Sequence, residues 1–261
     1  MKVVLFCGGL GTRLREHSNT LPKPMVNIGY RPIIWHLMKY YAHYGHKEFI
    51  LCLGYKGDVI KDYFLHYDEC VSNDFVLSDG GRRVELLRRD IDDWKISFID
   101  TGLHSNIGER LTAVQPLLAG EEIFLANYTD GLSDVDLDRC LEWFRNTGKA
   151  ASFLAVRPSH TFHVVDLDGG SGVRSILNST KADLWINGGF FALRPKVFEY
   201  MRPGEELVEE PFQRMIEQGD LAAHPYEGFW ACMDTFKDKQ RFDDMHASGN
   251  RPWEVWNRAS S

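Results

Sequence analysis

The sequence lacks the features that mark several large classes of protein. None of its apolar runs approaches the ~18 residues of a membrane span, and its first residues do not resemble a signal peptide. Its net charge of −7 argues against nucleic-acid binding driven by counterion release. We therefore expect a cytoplasmic protein that has neither a membrane nor a nucleic acid as its partner.

Paired cysteines are also lacking, and the scattered pattern of the five that are present excludes two kinds of stabilising site. The number of cysteines is odd and no two of them form a C-x-x-C pair, so neither a disulfide framework nor a zinc site is predicted. We expect reduced thiols at Cys7, Cys52, Cys70, Cys140 and Cys232. The 261 residues are 44% hydrophobic and contain no repeat or linker, which predicts one domain over residues 1–261.

The most informative segment is the first thirty residues. The apolar residues 3–7 run into a glycine-rich stretch, as in a buried parallel strand that ends in a loop. Because glycines let a backbone approach a polyphosphate closely, this loop is a candidate phosphate-binding site. Its candidate residues are Gly8, Gly9, Gly11, Thr12 and Arg13.

A lysine follows the glycine loop on a stiff segment. Lys23 lies between Pro22 and Pro24, and both proline rings restrict the backbone around it. A glycine loop, an arginine and a rigidly held lysine suit a triphosphate and the charge that builds as it is attacked.

Neither common glycine signature is present. A P-loop requires Lys-Ser or Lys-Thr after its glycines, and a dinucleotide fingerprint requires a third glycine where this chain has Leu14. On the residues alone, an ordinary strand-to-helix turn with solvated Arg13 and Lys23 remains an equal alternative.

Strand and helix patterns alternate along most of the chain. They predict an α/β fold with a doubly wound, mostly parallel sheet, whose ligands bind at the carboxyl ends of the strands. Residues 68–100 depart from this pattern and predict an insertion of antiparallel strands, the last over 94–99. The predicted helices cover residues 32–44, 57–67, 108–118, 137–147 and 197–219, followed by a helix and tail over 236–261.

The insertion also contains a basic cluster. Its members are Arg82, Arg83, Arg88 and Arg89. A solvated face and a subunit or partner contact are both open for this cluster.

Two aspartates follow apolar strands that lie far apart in the sequence. Asp130 precedes Gly131, and Asp234 follows the apolar residues 229–233. A carboxylate at a strand end suits a Mg²⁺ ion that keeps its waters and binds phosphate oxygens. The alternative is that each aspartate caps a following helix. We expect the neighbouring Asp134, Asp136 and Asp138 to be helix-start or solvated residues.

The motif GGLGTRL, followed by the lysine of PKP, resembles the signature of the sugar nucleotidyltransferases, the nucleoside-diphosphate-sugar pyrophosphorylases. The resemblance covers nearly the whole chain, and further matching segments are YTDG at 128–131, NGGFF at 187–191 and FWACMDT at 229–235. Within this family the chain is most similar to the glucose-1-phosphate cytidylyltransferases, on LGYKG at 53–57, DTG at 100–102, GERL at 108–111 and PWEVW at 252–256.

The resemblance implies a Rossmann-like fold and a reaction without a covalent intermediate. A sugar 1-phosphate attacks the α-phosphorus of a nucleoside triphosphate, CTP being favoured, and pyrophosphate leaves. The resemblance assigns the β- and γ-phosphates to the glycine loop with Arg13, and the α-phosphate to Lys23. It implies Mg²⁺ bound by Asp130 and Asp234, and a homo-oligomer.

The remaining implied contacts lie in two regions. Gly108 and Arg110 would approach the nucleotide as their loop closes on the base. Asn187 and Gly188 would lie at the sugar hydroxyls, although a plain turn is an alternative for Asn187. They belong to an acceptor-side region over residues 157–235, where antiparallel strands around 168–169 form a subdomain.

Three departures from the family pattern fall on the acceptor side. The usual Glu-Lys-Pro is replaced by NST at 178–180, with Lys181 displaced by two positions, and Arg-Phe-Gly is replaced by TFH ending at His163. Gly-Asp-Gly is replaced by TDG at 129–131. We therefore expect an intact transfer centre with an altered acceptor pocket that uses glucose 1-phosphate poorly. A non-sugar phosphate or phosphonate acceptor, or a non-catalytic nucleotide-binding paralogue, are the alternatives.

Overall fold

The computed structural model describes residues 1–9, 21–158, 162–179 and 182–257. Within these residues the helices are α1 Ile33–His43, α2 Gly57–Leu65, α3 Ile107–Val114, α4 Leu137–Thr147, α5 Glu210–Glu217 and α6 Phe236–Ala247. Shorter 3₁₀ turns cover Lys23–Met25, Glu69–Val71, Asp79–Gly81, Gln115–Leu118, Pro195–Tyr200 and Val255–Asn257. No helix in these ranges is long and apolar enough to cross a membrane.

The strands in the same residues fall into one large sheet and four two-stranded ladders. They are β1 Lys2–Phe6, β2 Asn27–Ile28, β3 Arg31–Pro32, β4 Glu48–Leu53, β5 Phe75–Ser78, β6 Arg83–Leu86, β7 Lys95–Asp100, β8 Phe124–Tyr128, β9 Gly131–Ser133, β10 Ala151–Val156, β11 His163–Leu167, β12 Val173–Asn178, β13 Ile186–Asn187, β14 Phe191–Leu193, β15 Leu221–Tyr226 and β16 Trp230–Cys232.

The large sheet has eight strands and is mostly parallel. Strand β1 lies between β4 and β8 and is parallel to both, and β7 extends the sheet beyond β4. On the other side, β14 runs antiparallel between β8 and β10, and β15 is parallel to β10. The predicted α/β fold with a doubly wound, mostly parallel sheet is confirmed.

Alternate residues of the central strand feed two separate cores. Val3 and Leu5 belong to a core that contains α1 and α4, whereas Val4 and Phe6 belong to a core that contains α3 and α5. Because successive strand side chains point to opposite faces, this division shows that helices cover both faces of the sheet. The continuous apolar run at the N-terminus is the sequence signal for that arrangement.

The topology creates one crevice at the carboxyl edge of the sheet. The chain leaves β1 toward β4 on one side and later returns to β8 on the other side of β1. Ligands of open α/β sheets bind at such a switch point. Gly8, Gly54 and Thr129 lie just beyond the ends of β1, β4 and β8, so they border this crevice.

Two segments differ from the predicted organisation. Residues 94–99 were expected to be antiparallel, but Lys95–Asp100 forms β7, which pairs in parallel with β4. Because β7 is an edge strand and half exposed, polar and apolar residues alternate along it. That alternation is typical of antiparallel strands, which explains the wrong prediction. The helix expected over 197–219 is instead a 3₁₀ turn followed, after a break, by α5. Pro203 and the left-handed backbone of Gly204, whose φ is +83°, lie in that break.

The antiparallel elements are two hairpins outside the large sheet. Strands β5 and β6 form the hairpin of the predicted insertion, and β11 and β12 form the predicted strands around 168–169. All five cysteines are free, as their spacing predicted.

The C-terminal tail closes one core through a buried tryptophan. Trp253 is fully buried, packs against Phe242, and its indole N–H donates to Nδ1 of His36 at 3.3 Å. The other ring nitrogen of His36 lies 3.1 Å from the carbonyl oxygen of Ile28. Burial lowers the pKa of His36 to about 4, so the ring is neutral at pH 7.

This lowered pKa predicts a loss of stability in acid. Below about pH 6.5 the unfolded His36 takes up a proton that the folded protein binds only near pH 4. The free energy of unfolding should therefore fall as pH decreases from 6.5 to 4, by an amount on the order of 3 kcal/mol from this residue. Denaturant titrations across that range should show a shallower dependence for His36→Gln.

His104→Gln provides the matched control, because this histidine is exposed at the surface. Burial lowers the pKa of His46 to about 4 as well. His36→Gln should therefore remove only part of the dependence of the free energy of unfolding on pH. Equal slopes for His36→Gln and the unsubstituted protein would contradict the assignment.

Candidate active site

A short antiparallel ladder brings the two aspartates together. Asp130 follows β8 and immediately precedes β9, whose first residue, Gly131, pairs with Cys232 at the end of β16. The amide of Met233 donates to the carbonyl of Asp130 at 2.7 Å and extends this register by one residue. Asp234 is the next residue, so the ladder itself places it beside Asp130.

Lys23 joins the two carboxylates. Its ammonium nitrogen donates to Oδ2 of Asp130 and to Oδ1 of Asp234, each at 2.6 Å. The lysine side chain is only 18% exposed. Burial acts to lower the pKa of Lys23, but the two adjacent carboxylates outweigh it, so the pKa is raised and Lys23 is charged.

Neither aspartate caps a helix, so that alternative is wrong. Asp130 leads into a strand, and the N-cap of α6 is Thr235, which forms a capping box with Asp238. Asp238 also accepts the amide of Asp234 at 3.2 Å, which fixes the backbone beneath that carboxylate. The N-cap of α4 is Asp136, in agreement with its predicted helix-start role.

A buried arginine lies under the start of the glycine loop. The Arg110 guanidinium packs so closely on Gly8 that a Cβ there would lie 2.2 Å from Nη1. Nη1 donates to the carbonyl of Leu53 at 3.0 Å and to the hydroxyl of Thr101 at 2.7 Å. Burial lowers the pKa of Arg110, and its buried Nε has no hydrogen-bond partner among the described residues.

The structure therefore places Arg110 with Gly8 at the carboxyl ends of β1, β4 and β7. Gly9 follows Gly8 and is exposed. Gly11, Thr12 and Arg13 lie outside the described residues, so their predicted phosphate contacts remain predictions.

Gly108 has a packing role that sequence reasoning did not predict. It lies in the first turn of α3, where a Cβ would come within 2.2 Å of the Glu205 carbonyl oxygen. Only a glycine lets α3 approach the 205–207 segment this closely. The start of α3 is fixed by a capping box between Asn106 and Glu109.

On the acceptor side, a turn after β13 carries the predicted sugar-binding residues. Asn187 accepts the amide of Gly189 at 2.9 Å, so it does stabilise a turn. The carbonyl of Gly188 accepts the indole N–H of Trp230 at 2.9 Å, which connects this turn to β16. Because Asp234 follows β16 closely, the turn is tied to the strand that leads to the carboxylates.

Sequence reasoning missed the residue that holds this turn. Asn127 is buried in β8, where its side chain accepts the amide of Phe190 at 2.9 Å and donates to the hydroxyl of Tyr41 at 3.1 Å. The turn uses left-handed backbone at Gly189 and Phe190, with φ of +74° and +50°. An asparagine inside an otherwise apolar strand was the available signal.

The two altered acceptor-side motifs contact each other. His163 begins β11, is exposed, and lies opposite Asn178 of β12. The amide of Ser179 donates to the carbonyl of Phe162 at 2.8 Å, and Ser179 is fully buried. These positions therefore close the base of one hairpin. Lys181 lies outside the described residues.

The chemistry of the carboxylate pair fits a divalent cation. Both carboxylates already converge on a single positive group, the Lys23 ammonium. Mg²⁺ is usually bound by one or two carboxylates together with waters and substrate phosphates. No group of three or more His, Cys, Asp or Glu side chains in the described ranges could hold a metal ion. The pair thus suits a cation that shares its coordination with a phosphate.

The fold is that of an α/β protein whose charged site lies at the carboxyl ends of the strands, where such proteins bind their ligands. The profile of the Nucleotidyl transferase family matches residues 2–238, and the chain belongs to that family. It is 39% identical over 258 residues to the glucose-1-phosphate cytidylyltransferase of Salmonella typhi, covering 98% of this chain and all of that protein. It is 38% identical over 258 residues, with the same coverage, to the probable glucose-1-phosphate cytidylyltransferase of Bacillus subtilis.

Solved structures support the fold. A UDP-glucose pyrophosphorylase complexed with UDP-glucose has a TM-score of 0.70 at 15% identity and covers 95% of this chain and 98% of its own. A putative glucose-1-phosphate thymidylyltransferase from Bacillus anthracis has a TM-score of 0.66 at 16% identity and covers 100% of this chain and 97% of its own. The predicted family and Rossmann-like fold are confirmed.

The contact between Gly8 and Arg110 predicts different costs for two neighbouring glycines. Gly8→Ala would force the buried guanidinium away from its partners, so we expect a loss of about 1–3 kcal/mol in the free energy of unfolding. Gly9→Ala is the matched control, because a Cβ there meets no described atom within 4 Å. Urea denaturation measures both, and equal stabilities would contradict the close packing.

Proposed function

We propose that the protein transfers a cytidylyl group from CTP to a sugar 1-phosphate and releases pyrophosphate, which gives a CDP-sugar. The convergence of Lys23, Asp130 and Asp234 carries this proposal, because it gathers a cationic group that can bind phosphate and two carboxylates that can bind a divalent cation at the ligand-binding edge of the sheet. The names of the relatives that are 38–39% identical over 98% of the chain support CTP as the donor and a sugar 1-phosphate as the acceptor.

In this proposal the protein positions the two substrates and neutralises charge. The acceptor phosphate attacks the α-phosphorus in line, and no covalent enzyme intermediate forms. Lys23 neutralises the charge that builds on the α-phosphate between the attacking and leaving oxygens. The amides of Gly8, Gly9, Gly11 and Thr12, with Arg13, hold the β- and γ-phosphates.

Arg110 and Gly108 act near the nucleotide in different ways. The Arg110 charge lies against Gly8, so it adds positive potential beneath the phosphate loop. Gly108 permits the close packing that fixes the start of α3. We therefore assign Arg110 to the triphosphate and Gly108 to the positioning of the nucleotide side.

We assign the metal-binding role to Asp130 and Asp234, and Mg²⁺ is the ion that their carboxylate chemistry favours. When bound, Mg²⁺ would neutralise charge on the phosphate oxygens. On the acceptor side, Asn187 and Gly188 would bind sugar hydroxyls, whereas His163 and Lys181 would shape the pocket for the remaining groups.

We further propose that the protein works as a cytoplasmic homo-oligomer. The hairpin β5–β6 presents Phe75, Leu77 and Val84 on one face, and these side chains are 42%, 58% and 50% exposed. Exposed apolar faces of this kind favour a subunit contact. The free cysteines favour a reducing compartment.

The carboxylates should be essential for metal-dependent turnover. Asp130→Asn and Asp234→Asn each remove one negative ligand, so we expect turnover to fall on the order of 10²–10³-fold. Asp136→Asn is the control, because asparagine also caps a helix well and α4 should be preserved. Pyrophosphate release is measured against Mg²⁺ concentration, and a variant with an unchanged rate and midpoint would exclude its residue as a ligand.

The proposed function and the altered acceptor pocket are tested together. Pyrophosphate release is measured with each of four nucleoside triphosphates and a panel of sugar 1-phosphates. We expect activity with CTP, and a kcat/KM for glucose 1-phosphate below about 10⁴ M⁻¹s⁻¹. His163→Gly should raise that value, because it removes the ring that replaces a glycine of the family pattern, whereas Val165→Ala on the same strand should not.

If no pair of substrates gives pyrophosphate, or if CTP is not preferred over the other triphosphates, the proposed function is wrong. A high kcat/KM for glucose 1-phosphate in the unsubstituted protein would instead show that the pocket accepts glucose 1-phosphate despite its changes.

A further inference from the structure

The Lys23 ammonium occupies the place between two carboxylates that a divalent cation would also favour. We propose that Lys23 is the resident counter-ion of Asp130 and Asp234, that it competes with the divalent cation for them, and that cation binding releases its ammonium toward the phosphates. The inference rests on the proposed metal-binding role of the two aspartates. It adds an exchange of positive charge at that site.

The first argument is geometric. One nitrogen lies 2.6 Å from an oxygen of each aspartate, so both carboxylates point at the same location. A metal ion held by both must approach that location closely. A doubly charged ion and an ammonium cannot share it without strong repulsion, because charges a few ångströms apart interact by several kcal/mol even near a protein surface.

The second argument is the difference in how the partners are anchored. Both aspartates are short side chains on backbone fixed by the β9–β16 ladder and by the Asp238 contact with the amide of Asp234. Lys23 reaches them through a flexible four-carbon stem from a short 3₁₀ turn. The ammonium can therefore move over several ångströms while the carboxylates stay in place.

The third argument concerns charge. Two neighbouring carboxylates repel each other, and Lys23 relieves that repulsion before any cation binds. The trio retains a net charge of −1, which still attracts a cation. While it is paired with both carboxylates, the Lys23 charge is largely neutralised and can offer a phosphate little. Release from the carboxylates makes that charge available.

The principal test measures binding of Mn²⁺ alone, without nucleotide or acceptor, by electron paramagnetic resonance. Lys23→Met keeps the length of the side chain and removes its charge, so the variant should bind Mn²⁺ about tenfold or more tightly than the unsubstituted protein. Lys23→Arg keeps the charge, so this variant should bind Mn²⁺ as weakly as the unsubstituted protein does. Lys39→Met is the matched control, because Lys39 pairs with Asp90 at 3.0 Å in another part of the molecule.

A second measurement uses the unsubstituted protein and does not depend on how a variant folds. The acylation rate of each lysine is measured by mass spectrometry with and without saturating Mg²⁺. Lys23 should be acylated several times faster with Mg²⁺, because it has left its two acceptors, whereas Lys39 should not change.

The outcomes separate the inference from the proposed function. Mn²⁺ affinity that is equal in Lys23→Met and the unsubstituted protein, or Lys23 acylation that is unchanged at saturating Mg²⁺, would overturn the exchange even if CTP is used. Tighter Mn²⁺ binding by Lys23→Met, together with faster acylation of Lys23 in Mg²⁺, would support the exchange. This holds even if none of the substrate pairs gives pyrophosphate.

Discussion

The contact of Lys23 with Asp130 and Asp234 is the interaction on which the site depends. It joins three separate segments: the 3₁₀ turn after the glycine loop, the segment just beyond β8, and the segment just beyond β16. The β9–β16 ladder brings the carboxylates together at the cost of their mutual repulsion, and a cation must offset that repulsion. The site therefore requires positive charge at this point in every state, whether from the protein or from a ligand.

A second positive charge is buried beneath the start of the glycine-rich loop. Burial of an arginine is costly unless its donors are satisfied, yet Nε of Arg110 has no described partner. The close contact with Gly8 places this charge directly under the backbone just beyond the end of β1. In a chain of net charge −7, anion binding must come from such local arrangements rather than from the overall field.

The positions predicted to lie on the acceptor side contact one another. Ser179 is buried and hydrogen-bonds with Phe162, and the adjacent His163 lies across from Asn178. Changes in the two motifs thus occur at one place in space although they are separated in sequence. The turn at Asn187 is held from the opposite side by Asn127 of β8, the strand that also leads to Asp130.

The sequence alone determined the alternation of strand and helix, and it singled out the glycine loop, Lys23 and the two aspartates as candidate site residues, because these depend on local apolar runs and short spacings. The direction of β7 was predicted wrongly as antiparallel, since a half-exposed edge strand has the same alternation in parallel and antiparallel sheets. Only the tertiary structure revealed the ion contact at Lys23, the packing of Arg110 on Gly8 and the role of Asn127. Each of these joins residues from different elements, and their distances are decided by strand order and register, which no local pattern contains.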